Sequence, residues 1–166
     1  MTRFLIVFLL LLRGSVSAKA QCEVYEKIFP DGTMYYRAET LLFYRTASFQ
    51  LSGNIVTDKE NYFLGLNPVP FPPKPKGSKI KFDLTVVLKN DTTYTLKHFD
   101  SYYRDEDTSF SMLFIISKKD LTAFQTHEVK EVKLNLGEGE SIYVFRLHTE
   151  AIREQLACFS KPKNKL

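Results

Sequence analysis

The sequence predicts a mainly β protein, an antiparallel β-sandwich-like fold of about nine strands, with a short helix near 118–125 and a C-terminal helix near 150–159. Three observations carry this. Residues 80–89 alternate strictly: Ile80, Phe82, Leu84, Val86 and Leu88 point one way, and Lys81, Asp83, Thr85, Val87 and Lys89 the other. Side chains alternate faces along a strand, so this segment has one dry face and one mostly wet one. Short extended segments separated by turn formers recur through the chain, while helical spacing appears in only two places. Finally, five of the seven prolines fall in 67–77 (NPVPFPPKPKG), a stiff segment suited to crossing from one sheet to another.

The first twenty residues read as a leader. Arg3 follows a short start, 4–12 is an unbroken apolar run, and 13–20 is small and polar, ending Ala18-Lys19-Ala20. That is the pattern of a cleaved signal peptide, and nine apolar residues are too few for a helix to span a bilayer, which takes roughly 20. Cys22 lacks the preceding small and aliphatic residues of a lipobox, since Gln21 and Lys19 stand there. Cleavage leaves 166 − 20 = 146 residues, enough for one domain with its own core at 21–160, followed by a basic tail at 161–166. The leader holds Arg3, Arg13 and Lys19, so the remainder carries 23 − 3 = 20 basic against 19 acidic side chains, or +1. The expectation is an exported protein, periplasmic or extracellular, with no stable membrane insertion after cleavage. No basic stripe interleaved with aromatics argues for nucleic acid.

Export implies an oxidising compartment. The two cysteines, Cys22 and Cys158, are then expected to pair, tying the N-terminal strand to the C-terminal helix.

Taken in order, 23–29 reads as a strand and Pro30-Asp31-Gly32 as a turn. Residues 34–44 read as one aromatic-rich extended segment, with a helical alternative at 38–42. Segments 47–56 and 61–66 follow, joined by the polar turn Thr57-Asp58-Lys59-Glu60, with a turn or bulge at Gly53-Asn54. The proline run is expected to lie outside any sheet. Its Pro70-Phe71-Pro72-Pro73 matches PxxP, but intracellular readers of that motif would not meet an exported chain. After the 80–88 strand, Asn90-Asp91-Thr92-Thr93 turns the chain, and Tyr94 and Leu96 resume the pattern. Residues 97–109 read as a polar loop. Residues 110–116 (FSMLFII) are apolar at nearly every position, as in a central strand. Ser117-Lys118-Lys119-Asp120 is a capping box for the short helix. Residues 129–136 alternate, 137–140 (GEGE) turn, and 142–147 form the last strand. Thr149 caps a closing helix whose Ile152, Leu156 and Phe159 make an apolar stripe.

Candidate chemistry is sparse. His98, His127 and His148 lie in three separate elements with no ligand spacing. No serine sits in G-x-S-x-G, and Gly137-x-Gly139 precedes a strand and is flanked by acids, unlike a dinucleotide fingerprint. Asp100, Asp105, Glu106 and Asp107 do not match a calcium loop, and Arg104 stands among them. Neither catalytic residues, nor a metal, nor a cofactor is expected. The candidate sites are therefore the Cys22–Cys158 disulfide, a candidate interaction loop at Tyr102-Tyr103, and Asn90, which heads an N-x-T sequon and accepts a glycan if the host is eukaryotic.

The function expected from these observations is a non-catalytic binding or structural module whose loops or edges engage a protein or a glycan. In length, export and a helix after eight or nine strands, the chain also resembles the lipocalins. That resemblance implies a closed barrel carrying a small hydrophobic ligand. The lipocalin G-x-W signature is absent, since the chain has no tryptophan, and the sandwich ranks first.

Overall fold

A computed structural model describes residues 23–28, 32–74, 82–104, 108–136 and 139–160. The leader, Cys22, the turn residues Pro30, Asp31, Gly137 and Glu138, the acids Asp105, Glu106 and Asp107, and the basic tail lie outside the described residues. The strands are β1 (Val24–Ile28), β2 (Met34–Ala38), β3 (Leu41–Arg45), β4 (Gln50–Thr57), β5 (Tyr62–Val69), β6 (Asp83–Leu88), β7 (Thr93–Arg104), β8 (Ser109–Ile116), β9 (Val129–Asn135) and β10 (Glu140–Val144). The helices are α1 (Lys118–Thr126) and α2 (Ala151–Ser160). Every strand pairing is antiparallel, in the order β1-β2-β4-β5-β8-β7-β6-β9-β10, with β3 also paired to β4. The mainly β class and both helices are as the sequence predicts. The sheet is not closed into a barrel.

One long strand joins the two halves. β7 pairs with β6 through Leu96 and with β8 from Lys97 onward. The sheet folds over there, and inward side chains of the two halves meet in a single core: Leu51, Ile55, Leu64, Leu66, Met112 and Phe114 from one half, Leu84, Val86, Leu88, Val132 and Leu134 from the other. β8 lies between β5 and β7, the central place that its unbroken apolar sequence predicts.

Several elements differ from the sequence reading, each for a local reason. Residues 97–104 are strand, not loop. A bulge at Phe99 shifts the register between His98 and Asp100. Before it, even-numbered residues such as Leu96 and His98 face the core; after it, Tyr103 does, and the alternation no longer adds up along the sequence. Residues 34–44 are two strands, because Glu39 and Thr40 break the edge that lies along β4. No turn occurs at Gly53-Asn54, where β4 runs straight through. A Cβ at Gly53 would collide with the Gly65 carbonyl oxygen on the neighbouring strand, so that position is glycine for close approach. Pro68 sits inside β5, opposite Leu51. β5 meets β8 only as far as Leu66, so at Pro68 the strand is an edge on that side and the missing N–H interrupts no ladder.

The β1–β2 hairpin extends the sheet by two pairs only, Tyr36 with Thr57 and Arg37 with Val56. It arches over the outer face. Lys27 of β1 lies 5.5 Å from the Tyr102 ring of β7, and Tyr35 of β2 packs at 6.1 Å on Phe63, which also meets Phe99 at 4.7 Å. Phe63 and Leu113, on the side away from the main core, are buried as a result.

Candidate functional site

Past Val69, whose bond to Pro70 is cis, the chain leaves β5 and forms a ridge, residues 70–74, across one end of the fold. The anchor of this ridge is Phe71. Its ring packs at 6.1 Å against both Tyr103 and Phe110, which meet each other at 4.7 Å. The Tyr103 hydroxyl donates to the Pro72 carbonyl at 2.9 Å, and the Lys74 ammonium lies 5.8 Å from the same tyrosine ring. Phe110 in turn contacts Phe82 at the head of β6. Alternating aromatics from β7 and β8 thus fix a segment that has no regular secondary structure of its own.

Grooves flank the ridge. On one side, Phe49, Pro70, Pro73, Leu136, Glu140 and Tyr143 border a groove of about 300 Å³. On the other, Thr40, Ser52, Asn67, Val69 and Ser109 border one of about 340 Å³, and Phe71 reaches both. Phe49 is 46% and Val69 47% exposed, one on each side, so apolar surface lies open beside the ridge. Prolines have no N–H, and the ridge is therefore rich in carbonyl acceptors without matching donors. Burial raises the pKa of the Tyr143 hydroxyl, which stays a neutral hydroxyl at the groove wall.

The two tyrosines singled out in the sequence are separated by the fold. Tyr103 faces inward and holds the ridge. Tyr102 faces the outer side beneath the β1–β2 hairpin, where with Arg37, Asn54, Asn67 and Ser111 it lines a cleft of only about 30 Å³. They belong to a strand, not to a common loop. The ridge itself was visible in the sequence only as a proline crossover. Its partner residue Tyr103 could be suspected from the aromatic pair, but Phe49 carried no signal.

The remaining candidates stand apart. Asn90 is exposed at the β6–β7 turn. His98 packs between Phe82 and Phe114, at 5.3 and 5.7 Å. His127 ends α1, its backbone N–H bonded to the Ala123 carbonyl, and His148 is exposed with a positive φ of 49°. Among the described residues no group of three or more His, Cys, Asp or Glu side chains could hold a metal ion, and no helix is long and apolar enough to cross a membrane. Cys158 lies on α2, half buried; Cys22 is outside the described residues.

The two helix starts differ from the caps read in the sequence. The Ser117 hydroxyl bonds the Asp120 carboxylate and leaves the backbone amides alone. The Thr149 hydroxyl donates to Glu128 at 2.8 Å, which Lys89 also meets at 2.6 Å and Arg153 at 3.4 Å. This cluster latches the start of α2 to the β6–β7 turn and to the entry of β9.

Compared with known proteins, the chain matches no family model, no curated protein and no solved structure. The functional reading therefore rests on the site alone.

Proposed function

We propose that the chain is an exported, non-catalytic binding module that engages a protein partner with the proline ridge and its two grooves. The observation that carries this is the exposed apolar pair Phe49 and Val69 on either side of a ridge fixed by Tyr103 and Phe71. Apolar side chains held open on a braced surface suit a partner contact, and rigid aromatic support limits the ordering cost of binding. The acceptor-rich proline backbone favours a polypeptide, whose N–H groups it complements. Export is supported by the basic start and the apolar run at 4–12.

Carriage of a small hydrophobic ligand is the second reading. It is served less well, because Phe43, Phe114, Leu64 and Leu84 fill the space between the two halves of the sheet. A ligand of that kind would have to occupy one of the surface grooves, whose volumes reach the lower range for such sites.

The test is capture from a fraction of exported proteins, periplasmic or extracellular, comparing the native chain with a Phe49→Asp/Val69→Asp variant and with Ile142→Asp, an exposed change on β10. The proposal expects the ridge variant alone to lose its captured protein. Equal capture by all three would sink it. Saturable displacement of a fluorescent fatty acid, one per chain, would favour the carrier.

A further inference from the structure

Of the six asparagines in the chain, Asn90 alone heads an N-x-S/T sequence. We propose that Asn90 is the acceptor of an N-linked oligosaccharide in a secretory pathway that carries the transferase, and that this glycan stands at the end of the molecule opposite the proline ridge. The inference rests on the export reading, since only a translocated chain meets that enzyme.

The local geometry suits a glycan. Asn90, Asp91 and Thr92 are all exposed. Asp91 takes a positive φ of 62°, a conformation that Asp tolerates better than most residues, and its N–H bonds the Leu88 carbonyl. The Asn90 Oδ1 accepts the Thr92 backbone N–H at 3.1 Å. That contact uses the oxygen of the amide, whereas the sugar joins the nitrogen, so the turn survives modification. The tip is braced on both sides by ion pairs, Lys89 with Glu128 and Lys130 with Asp91, each at 2.6 Å. A glycan here would therefore project from a fixed hairpin end.

The placement follows from β6. Its head adjoins Phe82, which packs on Phe110 beside the ridge. Its other end runs into the sequon. Six residues of strand at about 3.3 Å each separate the two by about 20 Å. In the transfer, the Asn90 side-chain nitrogen bonds the anomeric carbon of an oligosaccharide carried on a lipid pyrophosphate. The bond from that carbon to the pyrophosphate oxygen breaks, the lipid pyrophosphate departs with the electron pair, and the amide gives up one proton. Nothing is oxidised or reduced.

The experiment expresses the full chain in eukaryotic secretory cells, with its own first twenty residues and, in parallel, with residues 21–166 behind a leader of proven export. Asn90→Gln and Thr92→Ala accompany each. The secreted native chain should migrate as a larger species than both variants and fall to their position after peptide N-glycosidase. Digestion in heavy-oxygen water should leave labelled aspartate at the sequon asparagine. Secretion without a shift overturns the glycan and leaves the export reading standing. Failure of the chain's own leader, with a shift behind the second leader, overturns export alone; no shift there overturns the glycan. Hydrogen exchange of the glycosylated chain against Asn90→Gln reads the placement. Changes should be confined to 88–94 and the adjoining 128–130, which brace the tip, and altered protection at Val69, Phe71 or Lys74 would refute it.

Discussion

Gln155 sits where the edge of the sheet is broken. Between β2 and β3, Glu39 and Thr40 leave β4 without a strand partner on that side, although β5 still pairs on the other, and the Ile55 N–H would be left unpaired. The Gln155 side chain fills that place. Its Oε1 accepts the Ile55 N–H at 2.7 Å and its Nε2 donates to the Glu39 carbonyl at 2.8 Å. An amide side chain is the one group that can imitate a missing peptide unit, offering donor and acceptor together. Gln155→Leu should cost about 2 kcal/mol or more by stranding both backbone groups, read as a fall in the thermal midpoint. A stability equal to the native chain would mean that water repairs the gap. Glu128 acts at the surface instead. The hydrogen bond from Lys89, then that from Thr149, holds its carboxyl below the ordinary value of 4.5. A carboxyl lowered by folding stabilises the native state above its unfolded pKa, and that contribution fades as pH falls below 4.5. Exposed pairs of this kind are worth at most about 1 kcal/mol. Denaturant titrations from pH 7 to 3 should show a shallower acid loss in Glu128→Gln than in the native chain; superimposable profiles would exclude the latch.

Among the elements, β7 decides how the molecule is assembled and how well it can be read. Its two halves pair with different strands and, through the bulge at Phe99, present opposite parities to the core. A periodicity of two, followed along the sequence, therefore ends at His98, and the polar, aromatic remainder resembles a loop. The strand at 83–88 was legible because it keeps one parity throughout, and 109–116 because it is apolar on both faces; 129–135 was legible from Val132 and Leu134, although the register shift opposite Leu88 also turns Val129 inward. The ridge was legible as a stiff segment, since five prolines can mean little else, but its docking was not. That depends on Tyr103 facing inward, which the bulge sets. Removing only the hydroxyl tests the dock. Tyr103→Phe should lose one hydrogen bond, about 1 kcal/mol, and speed hydrogen exchange at the Phe71 and Lys74 amides while the rings stay packed. Unchanged exchange there would show that stacking alone holds the ridge. Tyr103→Ala removes the ring as well and should lower stability further, whereas Tyr102, on the outer face, should not affect the ridge.

At the scale of the whole molecule, the first strand and the last helix meet at one corner of the sheet. Val24 pairs with Ala38, the neighbour of Glu39, whose carbonyl is bound by Gln155 of α2. Cys158 lies one turn further along that helix. This juxtaposition supports the Cys22–Cys158 bridge anticipated from the sequence, which would close 158 − 22 = 136 residues. In the chain-entropy account a loop of that size contributes about 4 to 5 kcal/mol, and often less in practice. Reduction, or Cys158→Ser, should lower the thermal midpoint substantially, and two alkylatable thiols in the untreated secreted protein would refute the bridge. Cysteine spacing alone could suggest such a clamp, but the side chain that completes the same corner could not be foreseen, because nothing in the local sequence of Gln155 marks it as a strand's substitute. There is a temporal side to this. A chain made from its N-terminus exposes Ile55 long before α2 exists, since donor and acceptor lie 100 residues apart. The first sheet edge must wait, incomplete, until α2 has emerged. A nascent or truncated chain lacking α2 is thus left with an open seam, and quality control could distinguish finished from unfinished molecules by that seam alone.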